Sequence, residues 1–216
     1  MRLALIFVLI SVTPYCFAQG DDFPDYRSKK EIFTRIPEKD IRADIASYSM
    51  GGMDESIGKV PLKSIPIVAT GPNFITFEGN TLKEGSNIRI TITTGIFDPK
   101  KHKLGYYDKF LTKIDNKPYF GDYGKVPKTT IESISVVVDR DSVIIPQTAF
   151  VDLYNPILSF TEGGVQKSQN KVYLSGDGHK IYIYMLKPER GGSYEVTWVI
   201  QDKKYLRRVV DFGFLK

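Results

Sequence analysis

The chain has 216 residues, of which 42% are hydrophobic and 25% charged, a composition typical of folded globular proteins that argues against disorder. The formal net charge of +5 is too small to point to a nucleic acid or another polyanion as the partner. With one cysteine and two histidines, the chain cannot form an internal disulfide and lacks the residues of the common zinc sites.

Residues 1–18 have the pattern of a cleavable secretory signal peptide. Arg2 provides the positive start, residues 3–12 are apolar, and residues 16–18 place small side chains at the −3 and −1 positions before Gln19. The apolar run is shorter than the roughly 20 residues that span a bilayer, and no later run is as long. The sequence therefore predicts export to the periplasm or the cell exterior, with no transmembrane segment in the mature chain.

The alternative to cleavage after Ala18 is a lipid anchor on Cys16. A lipidation signal needs a small residue directly before the cysteine and usually leucine three residues before it, whereas Tyr15 and Thr13 stand there. Cleavage after Ala18 removes the cysteine, and none of the six asparagines begins an N-x-Ser/Thr acceptor. A mature chain without cysteine or glycosylation acceptors is more typical of a bacterial exported protein than of an animal extracellular one.

Residues 19–60 form a polar N-terminal extension with one short predicted helix. Pro37 is followed by Ile41, Ile45 and Tyr48 at the spacing of one helical face. The remainder of the extension is irregular and contains no phosphate-binding glycine motif.

Residues 61–216 have the two-residue periodicity of half-buried strands. Isoleucines alternate with polar residues over 88–93, and three further pairs of strands flank short turns, at 139–141, 176–178 and 202–204. Short strands joined by Gly/Asp turns predict a single all-β domain, an antiparallel β-sandwich. An immunoglobulin-like architecture is compatible with this pattern, although the Cys…Trp…Cys spacing of true immunoglobulin domains is missing.

Three aromatic residues of the predicted strands bear on the core. Trp198 shares one strand face with Tyr194 and Val196, which predicts a buried anchor rather than a sugar-stacking platform. Tyr182 and Tyr184 form the aromatic face of their strand. Two interpretations stay open for this face: a second core layer covered by residues 99–128, or an exposed platform.

Residues 99–128 are the candidate binding segment. They contain eight lysines, three aspartates and six aromatic residues, and connections longer than about 12–15 residues are often functional. The hypothesis is a contact surface for a glycan or an envelope protein, with these candidate binding residues: Lys101, His102, Tyr106, Tyr107, Tyr119 and Tyr123. The competing interpretation is structural: the rings anchor a long connection, and the lysines keep it soluble.

The sequence assigns no catalytic residue, metal ligand or cofactor. His102 lies among lysines and His179 follows a turn, with no carboxylate at metal-ligand spacing, and the G-x-S-x-G motif is absent. Asp139 and Asp141 flank a turn, where aspartate is favoured for its geometry. The favoured function is a non-catalytic binding or structural module of the cell envelope. The alternatives are a secreted hydrolase that acts on glycan or peptide with carboxylates, and an assembly subunit that pairs through a sheet edge.

Overall fold

The computed structural model describes residues 36–50, 61–81, 85–188 and 191–212, so the predicted signal peptide and Cys16 lie outside the described residues. The described chain contains one α-helix, α1 (Lys39–Tyr48), where the isoleucine spacing predicts it. Fourteen strands follow: β1 (Lys63–Ile65), β2 (Ile67–Gly71), β3 (Phe74–Asn80), β4 (Asn87–Ile96), β5 (Leu104–Tyr107), β6 (Phe110–Ile114), β7 (Thr129–Val138), β8 (Asp141–Val143), β9 (Phe160–Glu162), β10 (Val165–Lys167), β11 (Lys171–Leu174), β12 (Lys180–Lys187), β13 (Tyr194–Gln201) and β14 (Lys204–Phe212).

Ten of these strands form two five-stranded antiparallel sheets. The first sheet has the order β2-β3-β4-β7-β8, and the second has the order β1-β11-β12-β13-β14. The hairpins predicted around residues 139–141, 176–178 and 202–204 are the pairs β7–β8, β11–β12 and β13–β14. The prediction of an all-β antiparallel sandwich is confirmed.

The connections between the sheets are few. The described strands cross from one sheet to the other between β1 and β2 and again between β8 and β11. At the first crossing Pro66 separates Ile65 from Ile67, and a proline ends a strand ladder because it has no N–H to donate. Each sheet is thus built mainly from consecutive strands, whereas in the immunoglobulin order the chain passes between the sheets more often.

The main core lies between the two sheets. The inward faces of β4 and β7 supply buried aliphatic side chains that pack against those of β12 and β13. Trp198 is fully buried among them, and its indole Nε1 donates to the carbonyl oxygen of Ala149 at 2.8 Å. The prediction that Trp198 is a core anchor is confirmed.

Helix α1 covers the outer face of the second sheet. Its buried residues Ile41 and Ile45 pack in one cluster with Tyr182 and Val199. The Tyr182 hydroxyl donates to Asp44 on the helix at 2.7 Å. The aromatic face is therefore a second core layer, but α1 covers it and residues 99–128 do not.

Candidate functional site

Residues 99–128 contain a β-hairpin that the sequence does not predict. Strands β5 and β6 pair around the two-residue turn Asp108-Lys109, with Tyr107 opposite Phe110. The chain reverses again at Asp115 and Asn116, whose φ angles of 51° and 63° are left-handed, as a type I′ turn requires. The segment is thus a hydrogen-bonded unit rather than a loose connection.

An apolar cluster joins the inner face of this hairpin to the rest of the domain. It consists of Phe97, Leu111, Ile114 and Tyr154, with Leu104 and Tyr119 partly buried against it. The Tyr119 hydroxyl lies 3.2 Å from the carbonyl oxygen of Asp122 and 3.3 Å from that of Leu111, and burial raises its pKa to about 12. Tyr119 therefore stabilises the segment from within.

His102 also contacts other residues of the domain. Its ring stacks on Phe97 with centroids 4.6 Å apart, and its Nδ1 lies 2.7 Å from the Asp115 carboxylate. Asp115 also accepts from the backbone N–H of Lys103. These bonds hold the start of the segment to the second turn, so His102 and Tyr119, two of the six candidates, act as internal anchors.

A buried ion pair fixes the end of the segment, and sequence reasoning missed it. The Lys187 side chain has no exposed surface, and its ammonium lies 2.8 Å from the Asp122 carboxylate, whose side chain is 26% exposed. Asn155 donates to the same carboxylate at 2.6 Å and accepts from the backbone N–H of Lys128 and Thr129. Burial raises the pKa of Asp122, but the bonds from Lys187 and Asn155 outweigh it and hold the pKa below its ordinary value.

Close backbone contact adds a third attachment beside this ion pair. The N–H of Tyr123 donates to the carbonyl oxygen of Gly191 at 2.8 Å. A side chain on Gly192 would overlap the carbonyl oxygen of Gly121, so a glycine is needed at that position.

Four large aromatic side chains of the segment are exposed. Tyr106, Tyr107, Phe110 and Tyr123 are 52%, 79%, 51% and 59% exposed to solvent, and Val126 is 39% exposed. These five side chains are the aromatic patch. Twelve large hydrophobic residues are exposed in the described chain, so this one segment holds five of them.

The hairpin register divides the patch between two faces. Residues directly opposite in an antiparallel pair point to the same face, so Tyr107 and Phe110 share the outer face. Tyr106 is opposite Leu111 and lies on the inner face. Phe110 belongs to this surface although it is not among the candidates. Its place opposite Tyr107 depends on the unpredicted turn.

A cleft of 380 Å³ adjoins the aromatic patch. Val126 belongs to both, and the other lining residues are Asp122, Lys125, Lys128, Thr129, Asn155 and Ile157. No ion pair among the described residues includes Lys125 or Lys128. Lys101, the remaining candidate, is exposed on the turn before the hairpin, 3.8 Å from the Asp98 carboxylate.

Among the described residues outside the segment, one histidine lies against a carboxylate. His179 lies 2.8 Å from Asp202 at an exposed turn beside a second cavity of 280 Å³, which Ser86 also lines. Ser86 hydrogen-bonds to Asp139, and this bond lowers the pKa of that carboxyl. The described residues contain no group of three or more His, Cys, Asp or Glu that could hold a metal ion.

Comparison with known proteins adds no family. No family model, no curated protein and no solved structure matches the chain. In the described ranges no helix has the length and apolar character needed to cross a membrane. By its fold, the molecule is a helix-covered β-sandwich with an internally anchored aromatic hairpin.

Proposed function

We propose that the protein is an exported, non-catalytic binding module of the bacterial cell envelope, which contacts a glycan or another protein through the aromatic patch. The observation that carries this proposal is the contrast within residues 99–128. Phe120, Tyr119 and the Asp122–Lys187 pair anchor the segment, whereas four other rings remain more than half exposed. The domain leaves these rings uncovered, and a binding partner accounts for their exposure.

The energetics support a contact surface. Burying a Phe or a similar side chain is worth about 1.5–3 kcal/mol, so several exposed rings represent binding free energy that a partner can recover. Tyrosine is also enriched among residues that dominate binding energy at interfaces. A fixed hairpin also favours binding, because its rings lose little conformational freedom when a partner binds.

Retention on isolated envelopes of the producing cells tests this proposal. The patch variant Tyr107→Ala/Phe110→Ala is compared with Phe160→Ala/Val165→Ala, which truncates two exposed apolar residues of the β9–β10 hairpin. We expect the patch variant to bind at least about tenfold more weakly, because the loss of two contact residues should cost about 1.4 kcal/mol or more of binding free energy. The control should bind like wild type.

Fluorescence of Trp198, the single tryptophan, verifies that both variants are folded. Equal envelope binding by wild type and the patch variant would contradict the proposal.

Export rests on the pattern of residues 1–18 and has its own test. Mass spectrometry of the protein recovered outside the cytoplasm should find a mature N-terminus at Gln19. Recovery of a cytoplasmic protein that retains Met1 would refute export. Recovery of a chain that begins at an acylated Cys16 would mean that the exported protein is lipid-anchored.

A further inference from the structure

The segment that carries the aromatic patch has an excess of positive charge. Residues 99–128 hold eight lysines and three aspartates. Two of those aspartates serve internal anchors, since Asp115 accepts from His102 and the Lys103 backbone, and Asp122 pairs with Lys187. These carboxylates are therefore already engaged by groups of the domain, and the exposed lysines set the charge that a ligand meets.

Individual lysines lie directly beside the patch. The Lys109 ammonium is 5.5 Å from the centre of the Phe110 ring. Lys125 and Lys128 line the cleft that shares Val126 with the patch. An acidic group seated in the cleft would meet these two lysines, since the Asp122 carboxylate that also lines the cleft is held by Lys187 and Asn155. Residues next to that acidic group in the ligand would contact the rings.

The shape of the patch favours a protein over a glycan. A sugar ring stacks on one flat platform, whereas Tyr106 and Tyr107 are neighbours in a strand and point to opposite faces of the hairpin. Phe110 and Val126 have no polar atoms with which to bind the hydroxyls of a sugar. A protein surface can contact the exposed outer face and the edge of the hairpin together, with aromatic residues at the centre and lysines at the rim.

We infer that the ligand of the aromatic patch is an acidic segment of a partner protein, whose carboxylates occupy the cleft between Lys125 and Lys128 while its apolar residues contact the rings. This inference rests on the proposed function and specifies its ligand. Its charge complementarity also predicts salt-sensitive association.

Fluorescence anisotropy with two labelled probes of matched charge tests the inference. The first probe is a random copolymer of glutamate and tyrosine, which presents carboxylates and rings on a polypeptide. The second is polygalacturonate, an anionic glycan. The variant Lys125→Glu/Lys128→Glu is compared with Lys171→Glu/Lys204→Glu, which makes the same change in net charge at exposed lysines of β11 and β14.

We expect wild type to bind the copolymer more tightly than polygalacturonate. The cleft variant should lose at least about tenfold in copolymer affinity and the control less than about threefold, because direct charge contacts exceed the effect of net charge. If charge reversal in the cleft prevents folding, the milder Lys125→Gln/Lys128→Gln variant takes its place, with the same direction expected.

Three results would overturn the inference: tighter binding of polygalacturonate, equal losses in the cleft and control variants, or no copolymer binding. The envelope assay separates this failure from failure of the proposed function. If Tyr107→Ala/Phe110→Ala still weakens envelope binding, the patch is a binding surface for another ligand. If it does not, both proposals fail.

Discussion

The Asp122–Lys187 ion pair offers a sharp test of how the segment is attached. We expect Asp122→Ala to lower the free energy of unfolding by about 3 kcal/mol, because breaking a buried ion pair typically costs about 3–5 kcal/mol. The lower end applies here because Asp122 is partly hydrated, with 26% of its side chain exposed, whereas Lys187 has none exposed. The substitution also removes the acceptor of the Asn155 amide.

The reverse substitution should cost less. Lys187→Met removes the buried charge itself and leaves a carboxylate that water can reach, so we expect a loss of about 1.5 kcal/mol, the lower value for a lost charged hydrogen bond. The double variant Asp122→Ala/Lys187→Met should be more stable than Asp122→Ala alone. Asp141→Ala is the control, because its ion pair with Lys203 is exposed and should contribute less than about 1 kcal/mol.

Urea unfolding monitored by Trp198 fluorescence measures these differences, since this single tryptophan is fully buried in the folded domain. A loss for Asp122→Ala no larger than that of the Asp141→Ala control would refute the reasoning. Losses of the two single variants that simply add in the double variant would refute it as well.

Three further predictions concern the segment and the helix. Tyr119→Phe should cost about 1 kcal/mol, the net value of one hydrogen bond, and envelope binding should persist; urea unfolding and the envelope assay measure the two effects. Ile45→Ala should cost about 2–5 kcal/mol in the same unfolding assay, because Ile45 is buried between α1 and the second sheet. Burial raises the pKa of Asp44 above 3.8, so its contribution to stability is fully present below pH 3.8 and is lost as the pH rises through the folded pKa. Asp44→Asn keeps an acceptor for Tyr182 and removes this dependence. Relative to wild type, the variant should therefore gain stability between pH 4 and pH 7 in urea titrations, and a relative loss would contradict the account.

The sandwich could be predicted because its signals are local. A strand with one buried face must alternate apolar and polar residues, as Ile88, Ile90 and Ile92 do, and turns such as Gly176-Asp177-Gly178 mark where strands reverse. The helix could be predicted for the same reason, because Ile41 and Ile45 have the spacing of one helical face. Several segments distant in sequence could cover the Tyr182 face. Local periodicity does not indicate which of them does so.

The site could be predicted only in part. The composition of residues 99–128 identifies the surface, but the first turn, Asp108-Lys109, lacks the Asn-Gly or Asp-Gly pair that indicates a tight hairpin. Asp115-Asn116 is a better turn signal and could have revealed the second reversal. The anchors arise from tertiary contacts: Asp115 reaches His102, and Asp122 reaches Lys187 from a position 65 residues away.

Photo-cross-linking in the producing cells is the most direct test of the claim that the aromatic patch is a binding surface. A benzophenone amino acid replaces Tyr107 in one variant and Val165, on the β9–β10 hairpin, in the other. The account predicts an adduct at position 107 that excess wild-type protein suppresses and excess Tyr107→Ala/Phe110→Ala does not, with little adduct at position 165. Equal adducts at both positions, or none at position 107, would contradict it.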